Sequence, residues 1–156
     1  MNFCSHCGSA SISYLIPEGD SYHRFVCNHC GKVFYDNPRS IVGCLVEDHD
    51  QLLLCRRAIE PQLGLWNLPA GFLENGENVE EGAARETREE SRANVEIIKL
   101  HAVYSLPRVN QVYLHFFAKM VGGDIGTTSE SSEVRFFNPK DIPWSELAIQ
   151  SPTNAL

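Results

Sequence analysis

Gly71-Phe72-Leu73-Glu74-Asn75-Gly76-Glu77, seven further residues, and then Arg85-Glu86-Thr87-Arg88-Glu89-Glu90 form the most informative part of this chain. Asn78 is a good N-cap and Glu81 follows three residues later as its capping-box partner, so a helix is predicted over 78–92. On a wheel of about 100° per residue, Val79, Ala83 and Thr87 share the face that should dock on a sheet. Glu86 and Glu90 fall within roughly 20° of Val79, and Glu89 lies about 80° to one side. Arg85, Arg88, Arg92 and Glu81 point the other way. Two carboxylates one turn apart on a docking face repel each other and raise each other's pKa. A divalent cation removes that conflict, and carboxylate oxygens are the ligands that Mg²⁺ and Mn²⁺ prefer. The helix alone leaves a second reading open, a solvated Glu/Arg helix with pairs such as Arg85–Glu89.

Charge points to the same place. Residues 71–92 carry three arginines and seven glutamates, which is more than half of the net charge of −7. Before them, Ile41–Val46 and Gln51–Cys55 read as strands around the turn Glu47-Asp48-His49-Asp50, a hairpin signal. Leu63–Leu68 is an apolar run broken by Gly64, and it ends at Pro69-Ala70-Gly71. After the helix come strand-like runs at Val95–Tyr104, Gln111–Val121 and Val134–Phe137, with a Gly/Ser/Thr-rich loop from Gly122 to Ser132. Pro143–Leu147 is predicted to start a short helix, and Ser151–Leu156 to fray. Strands on both sides of a central helix imply an α+β fold, a mixed sheet with helices on its faces.

Six cysteines are present, and four of them form two pairs, Cys4-Ser5-His6-Cys7 and Cys27-Asn28-His29-Cys30, separated by 19 residues. That spacing suits a four-thiolate Zn²⁺ site, and Gly8 and Gly31 follow each pair as a tight knuckle turn requires. A filled four-thiolate sphere has no open position, so its role is structural. Disulfides or a redox pair are the alternatives, but nothing at Met1-Asn2-Phe3-Cys4 resembles a secretion signal and a redox motif would not be duplicated, so reduced thiols and a cytoplasmic protein are expected. His6 and His29 are read as bystanders, and Cys44 and Cys55 as buried core thiols. Ile12–Ile16, Tyr22–Val26 and Lys32–Tyr35 are the expected strands of this small module. Asp36-Asn37-Pro38-Arg39 breaks regular structure, which divides the chain into residues 1–36 and 37–156.

The remaining composition excludes several classes. With 43% hydrophobic and 21% charged residues the chain can build a core. No apolar run approaches the ~18–20 residues of a membrane span. An acidic pI near 5.3, and only Arg24, Lys32 and Arg39 as basic residues around the cysteine module, argue against nucleic-acid binding. An acidic protein that handles an anionic substrate needs local help, most simply a metal ion.

The stretch quoted first also matches a known pattern, G-x5-E-x7-R-E-U-x-E-E-x-G-U with U a bulky apolar residue. Gly71, Glu77, Arg85, Glu86, Glu89 and Glu90 stand at their places. Thr87, Arg92 and Ala93 depart from it, and Arg92 weakens the helix end, where a left-handed residue suits glycine better. The chain thus resembles the Nudix hydrolases, as does the preceding Leu65-Trp66-Asn67-Leu68-Pro69-Ala70. An N-terminal zinc ribbon joined through Tyr35-Asp36-Asn37-Pro38 resembles two of their branches, the NADH pyrophosphatases and the ADP-ribose/FAD pyrophosphatases. The NADH marker S-Q-P-W-P-F-P-x-S is replaced by Tyr104-Ser105-Leu106-Pro107-Arg108-Val109-Asn110-Gln111-Val112-Tyr113, which looks more like the second branch.

The resemblance implies a Nudix α/β/α sandwich and Mg²⁺- or Mn²⁺-dependent hydrolysis of a diphosphate linkage. FAD or ADP-ribose would be cut to release AMP, ahead of NADH or an NAD-capped RNA. A nucleotide sensor without turnover is a further class, disfavoured by the intact Glu86/Glu89/Glu90 set. By position, Glu86 and Glu90 resemble the main metal ligands, Glu89 an additional one and the Ala70 carbonyl a backbone ligand. Glu77 and Arg85 look like the pair that shapes the loop. The base would come from the helix or from a later loop, where Glu130 and Glu133 are the candidates. Arg108 could grip a phosphate, and Phe72, Tyr104, Tyr113 and Phe117 could stack on a ring or pack the core. The partner is a small nucleotide rather than a membrane, and the ribbon could serve a homodimer.

Overall fold

The computed structural model describes residues 1–148. Its chain divides into two compact units, Met1–Asn37 and a second from Pro38 onward. The expected fraying of Ser151–Leu156 lies outside the described residues.

The first unit is a three-stranded antiparallel sheet of β1 (Ile12–Leu15), β2 (Arg24–Cys27) and β3 (Val33–Phe34). A unit this small buries little apolar surface, so metal ligation is the natural source of its stability. Each cysteine pair makes a knuckle in which a glycine N–H donates back to the first cysteine carbonyl, Gly8 to Cys4 at 2.8 Å and Gly31 to Cys27 at 2.9 Å. Both glycines sit at left-handed φ, 76° and 72°, where a side chain would be strained.

The second unit is a seven-stranded mixed sheet. Its strands are β4 (Arg39–Asp48), β5 (Gln51–Arg57), β6 (Trp66–Asn67), β7 (Ala70–Phe72), β8 (Asn94–Leu106), β9 (Gln111–Gly122) and β10 (Ser131–Phe137). The main order is β10-β5-β4-β9-β8, with β6 on β5 and β7 on β4. Among the described strands only β4 and β9 pair in parallel, and the other strand pairs are antiparallel. Side chains alternate with the pleat, so β4 feeds both faces. Val42, Cys44 and Val46 join Leu53, Ala83, Ala93, Phe116 and Ala118 beneath the helix, while Leu45 joins Leu54, Trp66, Leu68, Phe137, Ile142 and Leu147 on the other face. A sheet buried on both faces explains why β4 reads as an unbroken apolar run.

The single α-helix among the described residues, α1 (Val79–Ser91), starts as expected. The Asn78 side chain accepts from the Glu81 N–H at 2.8 Å and the Glu81 carboxylate accepts from the Asn78 N–H at 3.0 Å. It ends at Arg92, which adopts φ 64°, the left-handed conformation that the pattern normally gives to glycine. The expected helix at Pro143–Leu147 is a single 3₁₀ turn, Trp144–Glu146, after which Leu147 bridges to Trp66. The stretch Leu63–Leu68 yields only the two-residue β6, because the loop before it is turned by the left-handed Gln62 and Gly64. Cys44 and Cys55 are fully buried, as expected of core thiols, and burial pushes the Cys44 thiol up to about 11. No helix among the described residues is long and apolar enough to cross a membrane.

Candidate active site

Ala83 and Thr87 are fully buried against the sheet, which fixes the rotation of α1 about its own axis. That rotation carries Glu86, Glu89 and Glu90 into the wall of one cavity of about 480 Å³. Glu90 is the deepest, with only 7% of its surface exposed. Burial pushes its pKa up to about 8, and the charges of Glu86 and Glu130 add to the shift; Arg57 and the Ala70 N–H oppose it. Glu86 is also raised, again first by burial, with Arg85 opposing. The Glu86 carboxylate lies where a Cβ on residue 71 would have to be, so Gly71 is required for close approach.

The wheel sends Arg85 away from the docking face, but its long side chain folds back along the helix to meet Glu77, the residue the resemblance pairs it with. Nε and Nη2 reach the two Glu77 oxygens at 2.9 and 2.7 Å, a bidentate pair. Nη1 reaches Glu86 at 2.7 Å and Glu89 at 3.0 Å, and Nη2 also donates to the Phe72 carbonyl at 3.0 Å. The i,i+4 pair Arg85–Glu89 therefore exists, but as one arm of a larger cluster. Hydrogen bonding from Arg85 holds the Glu77 carboxyl down at about 2, and Glu77 in turn accepts the Glu74 N–H at 2.7 Å. One guanidinium thus ties the 72–77 loop to the helix.

The other expected residues separate into two groups. Ala70, Phe72, Tyr113 and Glu130 line the cavity. Thr128 holds the Glu130 loop: its hydroxyl accepts the Glu130 and Ser131 N–H groups and donates to the Glu90 carbonyl at 3.4 Å. Phe72 is 43% exposed, with the Arg39 guanidinium 4.8 Å from its ring centre. Tyr113 is buried, and its hydroxyl donates to Gln111 at 3.2 Å. Glu133, Arg108 and Tyr104 do not line the cavity. Glu133 pairs with Arg56 and Arg135, each at 3.6 Å, because a register shift between Ser131 and Glu133 turns it away. Arg108 is exposed on the turn Pro107–Val109. Tyr104 stacks on Tyr113, with ring centres 5.1 Å apart, and Phe117 packs with it against the second core cluster.

Sequence reasoning missed Arg57, Asn67 and Gln111, which all line the cavity. Arg57 supplies a cation there besides Arg85. Its Nε donates to the Pro61 carbonyl at 2.7 Å, which leaves its two terminal amino groups for a ligand. A signal for it existed: Arg57 is two residues beyond the buried Cys55 on the same strand, so the pleat puts both on the helix side.

In the first unit the four ribbon sulfurs all lie within 4.8 Å of one another. Cys4–Cys30 is 3.8 Å and Cys7–Cys27 is 3.6 Å. A tetrahedral ion with bonds of about 2.3 Å needs edges of roughly 3.8 Å, so this donor set fits a closed four-thiolate site. The Cys30 N–H beside the Cys27 sulfur helps pull that thiol down to about 6, toward the thiolate that a metal takes.

Known proteins share both units. The NUDIX domain model matches residues 37–154, and the Nudix N-terminal zinc-ribbon model matches residues 2–36. An ADP-ribose pyrophosphatase of Methanocaldococcus jannaschii is 32% identical over 113 residues, 70% of this chain and 67% of that one. An NAD-capped RNA hydrolase NudC of Chromobacterium violaceum is 34% identical over 150 residues, 94% of this chain. The chain spans about half of that relative's length, 54%. The crystal structure of a NUDIX hydrolase from Nitrosomonas europaea superposes with a TM-score of 0.92 at 50% identity, covering 96% of this chain and 85% of the other.

Proposed function

The chain belongs to the Nudix hydrolase family, and on that premise we propose that it hydrolyses the diphosphate linkage of a nucleoside diphosphate derivative, ADP-ribose or FAD, releasing AMP. The observation that carries this reading is one cavity holding Glu86, Glu89, Glu90 and Glu130 beside Arg57. Glu86, Glu89 and Glu90, with the Ala70 carbonyl, would hold a divalent cation, Mg²⁺ or Mn²⁺, which when bound neutralises phosphate charge and lowers the pKa of a water. Arg57 offers its free fork to a phosphate oxygen pair, the role the sequence had suggested for Arg108. Glu130, which lines the cavity, would take the proton of the attacking water, whereas Glu133 is held by two arginines outside the cavity. Phe72 offers a ring at the cavity for stacking on a base. Arg85 keeps Glu86 and Glu89 oriented and the loop in place.

The ribbon would hold structural Zn²⁺ through Cys4, Cys7, Cys27 and Cys30, and a reduced four-thiolate site suits a cytoplasmic protein. A second substrate, an NAD-capped RNA, is favoured by one observation: the relatives of that name align across both units, not the catalytic one alone. Product analysis with Mg²⁺ tests both on one panel of ADP-ribose, FAD, NADH, a diadenosine polyphosphate, a nucleoside triphosphate and an NAD-capped oligonucleotide. AMP from ADP-ribose or FAD as the preferred substrates is the expected result. Preference for the capped RNA selects the second reading, and turnover of none of them refutes the hydrolase.

A further inference from the structure

We infer that Asn67 is an outer-sphere positioning residue for the divalent cation, accepting a hydrogen bond from a water of its hydration shell. The inference rests on the reading of the cavity as a cation-assisted diphosphate site.

Asn67 is the polar residue of an apolar run. Its neighbours Trp66 and Leu68 are 4% and 0% exposed and face the second core cluster, so the pleat turns Asn67 to the opposite side. It pairs across the strands with Cys55, whose thiol donates toward the Glu90 carbonyl of α1. Residues directly opposite in an antiparallel pair share a face, so Asn67 and Arg57 lie on the Glu90 side of the sheet. Asn67 is itself 5% exposed and lines the cavity.

Its amide is oriented. Nδ2 donates to the Leu68 carbonyl at 2.9 Å, and the flipped amide would set oxygen against oxygen there. The carbonyl oxygen Oδ1 is thereby left buried with no hydrogen-bond partner among the described residues. A buried acceptor without a donor is costly, and such groups call for an explanation in function. The terminal torsion of an asparagine is soft, so Oδ1 can swing toward the cavity when a donor arrives.

What the donor is follows from what surrounds it. Once a cation holds them ionised, the carboxylates of Glu86, Glu89 and Glu90 are acceptors, and an ionised diphosphate is also an acceptor. Arg57, on the reading above, is taken up by the phosphate. Mg²⁺ and Mn²⁺ keep several waters when held by carboxylates, and a water on a cation is a strong donor. An acceptor one step outside the ligands fixes that water and hence the ion, as partners behind metal ligands do elsewhere.

The test is Mn²⁺ binding to the full zinc-loaded chain without nucleotide, read by electron paramagnetic resonance. Asn67→Leu removes both amide groups at similar volume. It should weaken Mn²⁺ about tenfold while zinc content and melting temperature stay near those of the native protein. Asn67→Asp keeps an acceptor and should bind Mn²⁺ at least as tightly as native. Asn67→Ala serves if the leucine variant does not fold, with the same weakening expected. Native Mn²⁺ affinity in the folded leucine or alanine variant overturns the inference. If affinity is native but KM rises for ADP-ribose and not for its 2′- or 3′-deoxy analogues, the donor is a substrate hydroxyl, and the cation assignment is wrong. A native protein that binds no Mn²⁺ refutes the reading beneath it instead, and this inference with it.

Discussion

The ribbon gathers four thiols within 4.8 Å of one another, whereas the cavity spreads five glutamates along its wall and shares that wall with two arginines. Both are collections of acids that repel when ionised, and both invite a cation. They differ in what is left over. Four sulfurs at tetrahedral spacing complete a sphere and leave no position for a substrate. The glutamate wall would leave one side of a bound cation open, and Arg85 already orients two of its members. A closed set stabilises; an open set acts. On the proposed reading the chain uses two metals of different character, and each can be challenged separately.

The largest effect should come from the open set. Glu90→Gln should lower turnover roughly 10³-fold, about 4 kcal/mol of barrier, while the protein stays folded. Near-native turnover in that variant would erase the distinction between the two regions. On the closed side, Cys27→Ser should release the ribbon metal and expose the amides of residues 1–37 to hydrogen exchange, while those of the second unit remain protected. Loss of protection throughout would show that the two units do not fold independently.

Acidity sharpens the comparison within the cavity. Glu90 is raised from 4.5 to about 8, so its stabilising contribution as a neutral acid is complete below pH 4.5 and is lost as pH rises through about 8. Glu77 is lowered to about 2, so its contribution is present above 4.5 and is lost as pH falls toward about 2. In metal-free buffer the melting temperature should therefore decline between those two values for Glu90, and Glu90→Gln should remove that decline. An unchanged decline in the variant would place its source elsewhere. The smallest effect concerns neither metal. Arg92→Gly relieves a left-handed arginine and should add about 1 kcal/mol, a rise of roughly 2–4 °C in melting temperature. No gain would mean that other contacts of Arg92 offset the strain.

Local chemistry made much of this legible in the sequence. The capping box of Asn78 and Glu81, the paired cysteines and the carboxylate spacing on α1 are each complete within a few residues. What escaped required pairing across the sheet. Asn67 and Arg57 reach the cavity because β6 and β5 pair at Asn67–Cys55 and share a face. Glu130 and Glu133 looked equivalent as late-loop acids. The irregular register between β10 and β5 separates them, leaving one in the cavity and the other on Arg56. Arg85 was misdirected because a wheel locates Cα atoms, not the end of a long side chain that finds Glu77.

The most direct measurement is to pass the protein into metal-free buffer, then follow zinc content and hydrolysis of ADP-ribose in the same sample as Mg²⁺ is restored. The account predicts that zinc stays bound near one per chain, that activity disappears, and that Mg²⁺ alone restores it. Activity that persists without Mg²⁺ or rises and falls with zinc would contradict it.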